Sequence, residues 1–208
     1  MDDPPVKQQL GGVVLAGGLG RRMGSEPKVL LRLGGATLVE RAVARAEPQV
    51  DLICISSDLD ERALGCSRCA VLVDRFPGYL GPLAGVHAAM AFFRETAPEM
   101  EWLCSFAADT PWFPHDLVAR LHDAVSTSAG NAMAIARSGE RPHPVFALWP
   151  MSVLPHLESV LAAGSDRGVA RFQAAFSPVY VDWPAGPEDP FFNLNTPEDL
   201  ARARERTG

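Results

Sequence analysis

The sequence has no apolar run long enough to span a bilayer, no internal repeat and no low-complexity segment. Membrane-spanning and repeat architectures are therefore set aside. Cysteine is scarce, with four in 208 residues. Cys54 and Cys104 fall inside strand-like runs and read as small core residues. Cys66 and Cys69 have the spacing of a metal or redox pair, but no second Cys or His pair stands nearby to complete a zinc site. A structural role is expected for them, and such usage suits a reducing cytoplasm. Basic residues are not in excess: 19 Lys and Arg face 25 Asp and Glu, giving a formal net charge of −6 and a pI near 5.4. This balance argues against a general binder of nucleic acid or anionic membrane, so any cationic site must be local. The first residues, Met1 to Lys7, are acidic and proline-containing, unlike a secretory signal. Residues 1–10 are expected to be a disordered lead-in.

What the chain does have is ample core material, 47% hydrophobic residues, in a length that suits a single α/β domain over 1–208. Its most informative stretch runs from Gly12 to Lys28. Val13, Val14 and Leu15 form a short apolar run that predicts a strand buried on both faces. Ala16, Gly17 and Gly18 follow, then Gly20 and Gly24, with Arg21, Arg22 and Lys28 as cations on the same loop. A strand opening into a cationic, glycine-rich loop is suited to a polyphosphate. The alternative is an ordinary strand-to-helix turn with solvated arginines. Spacing excludes the better-known phosphate loops. After Gly18 and Gly20 the dinucleotide fingerprint requires glycine where Met23 stands, and no glycine precedes a lysine as the Walker loop demands. The pattern present, L-A-G-G-x-x-x-R-M-G-x-x-x-K over Leu15 to Lys28, resembles the signature of nucleotidyltransferases.

Further strands are predicted at Leu52–Ser56, Ala70–Val73, Trp102–Ala107, Ala132–Ala136, Val145–Trp149 and Val179–Val181. Helices are predicted from Thr37, with Glu40 at the capping-box position, from Pro82, from Pro114, over Ser152–Ala162, over Asp166–Ala175 and from Thr196-Pro197. This order implies a mostly parallel sheet wrapped by helices. In open α/β sheets ligands bind beyond the carboxyl ends of the strands, where Leu15–Gly18, Ser56, Asp74 and Asp109 all fall. Asp109 at such an end is either a Mg²⁺ ligand or a helix N-cap before Pro111 or Pro114. Asp74 either meets a nucleoside sugar or metal, or merely forms a turn. His143, between two prolines, either donates to a ligand or is solvated. Trp149, Trp183 and Phe191 could stack on a ring system, although core packing is the expected use. No nucleophilic Ser/His/Asp or Cys/His constellation stands out.

Taken together, Leu15–Lys28, Asp74, Gly81–Gly85, Ala108–Pro111, Gly139–Pro144 and Phe192–Leu200 resemble the molybdenum cofactor guanylyltransferases over nearly the whole chain. The resemblance implies a three-layer α/β/α nucleotidyltransferase (Rossmann-like) fold. It also implies GTP-dependent guanylylation of molybdopterin, or of its molybdenum-bound form, with Mg²⁺ as cofactor. On the same ground Leu15, Ala16, Gly17, Gly18, Lys28, Ser56, Asp74 and Asp109 would bind GTP, with Asp109 on the metal. Asp109, Lys28 and Arg22 would carry catalysis, and Asn193, Asn195 and His143 would face molybdopterin. About 11–110 would form the GTP-binding half and about 111–208 the acceptor-binding half. Other cofactor-biosynthesis proteins and recipient molybdoenzymes are the implied protein partners. The alternatives are a related enzyme using CTP or a sugar phosphate, or a nucleotide-binding regulator without turnover. Gly81–Gly85, Asn193 and Asn195 argue against the first, and the intact Lys28 and Asp109 against the second.

Overall fold

The computed structural model describes residues 9–17, 27–76, 81–127, 132–164, 168–186 and 189–207. Strand β1, Leu10–Leu15, lies near the middle of a seven-stranded sheet. A hairpin follows, of β2 (Arg32–Leu33) and β3 (Ala36–Thr37), and then helix α1 (Leu38–Ala46). The α1 start carries the reciprocal capping box that the sequence predicts. Thr37 N–H donates to Glu40 at 2.7 Å, and Glu40 N–H donates to Thr37 Oγ1 at 3.2 Å. The chain continues through β4 (Leu52–Ser56), α2 (Glu61–Leu64), β5 (Ala70–Leu72), α3 (Pro82–Thr96), β6 (Trp102–Ala107) and α4 (Leu117–Ser126). It ends with β7 (Ala134–Ser138), β8 (Arg141–Pro150), α5 (Leu154–Ala162), α6 (Val169–Ala174), β9 (Val179–Trp183) and α7 (Pro197–Thr207).

The sheet order is β5-β4-β1-β6-β8-β7-β9, and every neighbouring pair is parallel except the two that β8 makes. Successive residues of β1 serve opposite faces. Val14 packs with Val39, Ala42, Leu117 and Leu121 from α1 and α4, whereas Val13 packs with Leu83, Met90, Leu154 and Leu157 from α3 and α5. The fully buried apolar run is thus the signature of a strand covered on both sides, and the expected three-layer α/β/α architecture is what forms. Gly11 lets α3 approach closely, because a Cβ there would lie 2.8 Å from the Phe93 ring. Among the described residues no helix is long and apolar enough to cross a membrane.

Two expectations need correction. Leu10 does not belong to a disordered lead-in: it is fully buried, pairs with Trp102 and donates its N–H to Asp51 Oδ2 at 2.9 Å. Residues 1–8 lie outside the described residues, as does Asp166 at the expected start of α6. The stretch from Arg137 to Pro144 is not a connection between strands but the paired end of a hairpin, turning at Gly139 with φ 57°. Proline removes a ladder donor, so Pro142 and Pro144 read as strand breakers. They are tolerated because this end of β8 pairs only with β7, the β6 pairing being confined to Ala147–Pro150, and because the register shifts between Ile135 and Ala136.

Candidate active site

The carboxyl ends of β1, β4, β5 and β6 open into one cleft of about 600 Å³, of the size that holds a nucleotide-like ligand. The end of β1 is tied to its neighbours, since Ala16 N–H donates to the Ser56 carbonyl at 2.8 Å and Ala108 N–H to the Leu15 carbonyl at 3.2 Å. Leu15, Ala16 and Gly17 all line the cleft, as expected. Of their main-chain groups, however, the Ala16 N–H is already committed. Gly17 has open space where a Cβ would stand. Gly18 and Arg22 lie outside the described residues.

Across from β1, helix α3 begins at Pro82, in the N1 position that proline favours. Gly85 lies in its first turn. A Cβ on Gly85 would stand 2.5 Å from Ser56 Oγ and 2.6 Å from Leu15 Cδ2, so only glycine lets this helix close the cleft wall. Gly85→Ala should therefore push α3 off the strand ends. We expect a loss of about 1–3 kcal/mol in stability, typical of overpacking, together with weakened nucleotide binding. Thermal denaturation and nucleotide titration of the variant check both.

The charged groups divide the cleft into two ends. At one end Lys28 Nζ donates to Asp109 Oδ2 at 2.5 Å, Asn195 Oδ1 at 2.9 Å and Asn193 Oδ1 at 3.3 Å. The Lys28 and Asp109 side chains are only 14% and 21% exposed, so the pair is partly shielded from solvent. The asparagines are brought there by two anchors. Leu194 N–H donates to the Asp109 carbonyl at 2.9 Å, and Thr196 caps α7 reciprocally with Asp199, whose carboxylate also accepts from Asn195 N–H at 3.0 Å. At the other end stand Asp74, Asp58 and the buried Ser56. Burial, and next the charge of Asp58, push the Asp74 carboxyl above the usual carboxylate range. Among the described residues lining the cleft, Lys28 is the only cation. A phosphate chain is thus suited to the Lys28 end, and hydrogen-bond donors to the Asp58–Asp74 end.

Asp109 does not cap a helix: it pairs with Lys28 and accepts from Thr110 Oγ1 at 3.4 Å. It is a suitable donor for Mg²⁺, which takes one or two protein carboxylates and completes its shell from phosphate and water. Among the described residues no group of three or more His, Cys, Asp or Glu could hold a metal by itself. The cation that Asp109 holds in this structure is the Lys28 ammonium. Oxygen donors gathered on a cation therefore fit a hard ion shared with a polyphosphate.

His143 is neither solvated nor in the cleft. It is 7% exposed, lies in β8 and stacks on Phe191 with ring centroids 4.4 Å apart, away from the residues that line the cleft. Trp149, Trp183 and Phe191 are core residues, and Trp149 Nε1–H donates to Ser105 Oγ at 2.8 Å. Cys66 and Cys69 are buried, and burial first, then Cys69 nearby, raises the Cys66 thiol to about 11. Asp58 was not legible as a site residue in the sequence. Its one signal is that it follows Ser56 and Ser57 off the end of a predicted strand.

Residues 12–179 match the MobA-like NTP transferase domain family. A molybdenum cofactor guanylyltransferase from Nitrobacter hamburgensis is 41% identical over 192 residues, covering 92% of this chain and 91% of that protein. A protein of the same description from Rhodopseudomonas palustris is 42% identical, covering 92% of this chain and 90% of its own. Among solved structures, molybdopterin-guanine dinucleotide biosynthesis protein A from Archaeoglobus fulgidus superposes with a TM-score of 0.72 at 26% identity, covering 94% of this chain and 97% of that one. A 4-diphosphocytidyl-2C-methyl-D-erythritol synthase shares the fold, with a TM-score of 0.67 at 15% identity, covering 94% and 96% of the two chains.

Proposed function

The chain belongs to the MobA-like NTP transferase family, and from that membership we infer that it transfers GMP from GTP to molybdopterin, forming the guanine dinucleotide cofactor and releasing pyrophosphate. The observation that carries this reading is the near-full-length likeness to proteins of that activity. The cleft supports it, because a shielded lysine, a metal-competent carboxylate and two asparagines gather at one end. In the reaction, a phosphate oxygen of molybdopterin attacks the α-phosphorus of GTP. A new P–O bond forms as the bond to the β-phosphate oxygen breaks, and pyrophosphate carries away the electron pair.

Lys28 and Arg22 offset the charge that builds on the transferring and leaving phosphates. Lys28 reaches its place already held by three side-chain oxygens, so little reorganisation accompanies the reaction. Asp109 would hold Mg²⁺, which when bound neutralises charge on the phosphate oxygens. Gly17, Gly18, Ser56 and Asp74, with Leu15 and Ala16, would bind the nucleoside portion. Asn193 and Asn195 would meet molybdopterin or its molybdenum-bound form. Residues of about 11–110 then form the GTP-binding half and those of about 111–208 the acceptor-binding half, and the two halves meet at Lys28. The reaction belongs in the cytoplasm, where other cofactor-biosynthesis proteins and recipient molybdoenzymes are the expected partners.

Thermal denaturation with each of GTP, CTP, ATP and UTP in the presence of Mg²⁺ tests the nucleotide assignment. GTP at about 100 times its Kd should add about 2.7 kcal/mol of stability and raise Tm by several degrees. The other three should give clearly smaller shifts. An equal or larger shift with CTP contradicts the guanylyl assignment.

A further inference from the structure

His143 takes part in a partly buried polar chain away from the residues that line the cleft. His143 Nε2 lies 2.7 Å from Ser138 Oγ, and Ser138 Oγ donates to Asp189 Oδ2 at 3.1 Å. The other Asp189 oxygen accepts from Phe191 N–H at 2.9 Å. A serine hydroxyl has one proton to give. With that proton on Asp189, the short contact to His143 must be donated by the imidazole Nε2–H. Burial pushes His143 down to about 4, so the ring is neutral at neutral pH, and the Ser138–Asp189 bond selects the tautomer with its proton on Nε2. The arrangement is not that of an activated nucleophile. Ser138 and His143 are 4% and 7% exposed, and the serine gives its proton to the aspartate rather than to the histidine.

What the chain joins is informative. Ser138 and His143 sit on the β7–β8 hairpin, within the sheet. Asp189 and Phe191 belong to the segment that reaches Asn193 and Asn195. The Phe191 ring is wedged against His143, Phe146 and Trp183, at centroid distances of 4.4, 5.1 and 5.5 Å. One residue separates Phe191 from Asn193, whose amide oxygen meets the Lys28 ammonium.

We propose that Ser138, His143 and Asp189 form a clamp that fixes the start of the Asn193–Asn195 segment to the sheet, so that both asparagines hold Lys28 in its place. His143 is then a positioning residue, acting through Asp189 and Phe191, and does not touch either substrate. This rests on the proposed role of Lys28 at the nucleotide phosphates.

The chain contains only two lysines, Lys7 and Lys28, so lysine acylation followed by mass spectrometry reports on Lys28 with Lys7 as internal reference. The measurement needs neither GTP nor molybdopterin, so its failure is distinguishable from failure of the functional assignment. His143→Phe keeps an aromatic ring on Phe191 and removes the donor, Ser138→Ala breaks the chain conservatively, and His143→Gln retains an N–H donor. The Lys28-to-Lys7 acylation ratio should rise about three- to tenfold in His143→Phe and Ser138→Ala, the factor expected from losing one hydrogen bond. It should stay near wild type in His143→Gln. Turnover should fall in the first two variants and recover in the third. An unchanged ratio in Ser138→Ala, or an equal rise in His143→Gln, would overturn the clamp. Ser138→Ala, the smallest change, decides the matter if an aromatic at 143 fails to fold.

Discussion

Asp109→Asn should lower guanylylation by about 10²- to 10³-fold, the scale of removing one preorganised electrostatic element from a shielded site. Asparagine has nearly the same shape, so the loop after β6 should keep its course, including the Leu194 N–H bond to the residue 109 carbonyl. What disappears is the one negative charge among the three hydrogen-bond acceptors of Lys28, and with it the carboxylate proposed to hold the metal. The ion pair is partly exposed, and such pairs contribute modestly to folding, so Tm should move by no more than a few degrees. Steady-state turnover at ordinary Mg²⁺, with a melting curve on the same preparation, checks both halves of this expectation. Turnover near that of wild type would remove Asp109 from the chemistry.

Lys28→Ala is the second large effect, and its signature is a pair of changes of opposite sign. Losing the only described cation of the cleft should weaken GTP binding and reduce turnover by about 10²-fold. The same substitution frees the oxygens of Asp109, Asn193 and Asn195, which the ammonium holds in the free protein. Binding of Mn²⁺ without nucleotide should therefore tighten, because a cation competing for Asp109 has been removed. Titration of free Mn²⁺ by electron paramagnetic resonance reads this directly, alongside GTP titration. If GTP affinity is unchanged, Lys28 is not a phosphate ligand. If Mn²⁺ affinity is also unchanged, Lys28 and the metal do not share Asp109.

The parts of the molecule that were legible in the sequence are those governed by local chemistry. The β1 run, the Thr37–Glu40 capping box, the Thr196-Pro197 helix start and the placement of Ser56, Asp74 and Asp109 at strand ends each follow from residues within a few positions of one another. The glycine at position 85 was visible as part of a block, but its reason is tertiary: it lies against Ser56 and Leu15. The contact of Lys28 with Asn193 and Asn195 spans 165 and 167 residues, so no local pattern could announce it. It brings residues from near the two ends of the chain into one site. The Pro142–Pro144 stretch misled for a physical reason. Proline opposes a central strand, and here the sheet pairs on one side only, which is where proline can be borne. His143 shares that reason, since flanking prolines suggest a loop residue, and it is instead a buried residue of the paired hairpin.

The central claim is that this cleft joins GMP to molybdopterin, and product analysis tests it most directly. The protein is incubated with molybdopterin, Mg²⁺ and an equimolar mixture of GTP and CTP, each labelled at the α-phosphate. The account predicts that label from GTP enters a molybdopterin guanine dinucleotide, with one pyrophosphate released per dinucleotide formed and CTP left intact. Consumption of CTP with GTP left unreacted would contradict it.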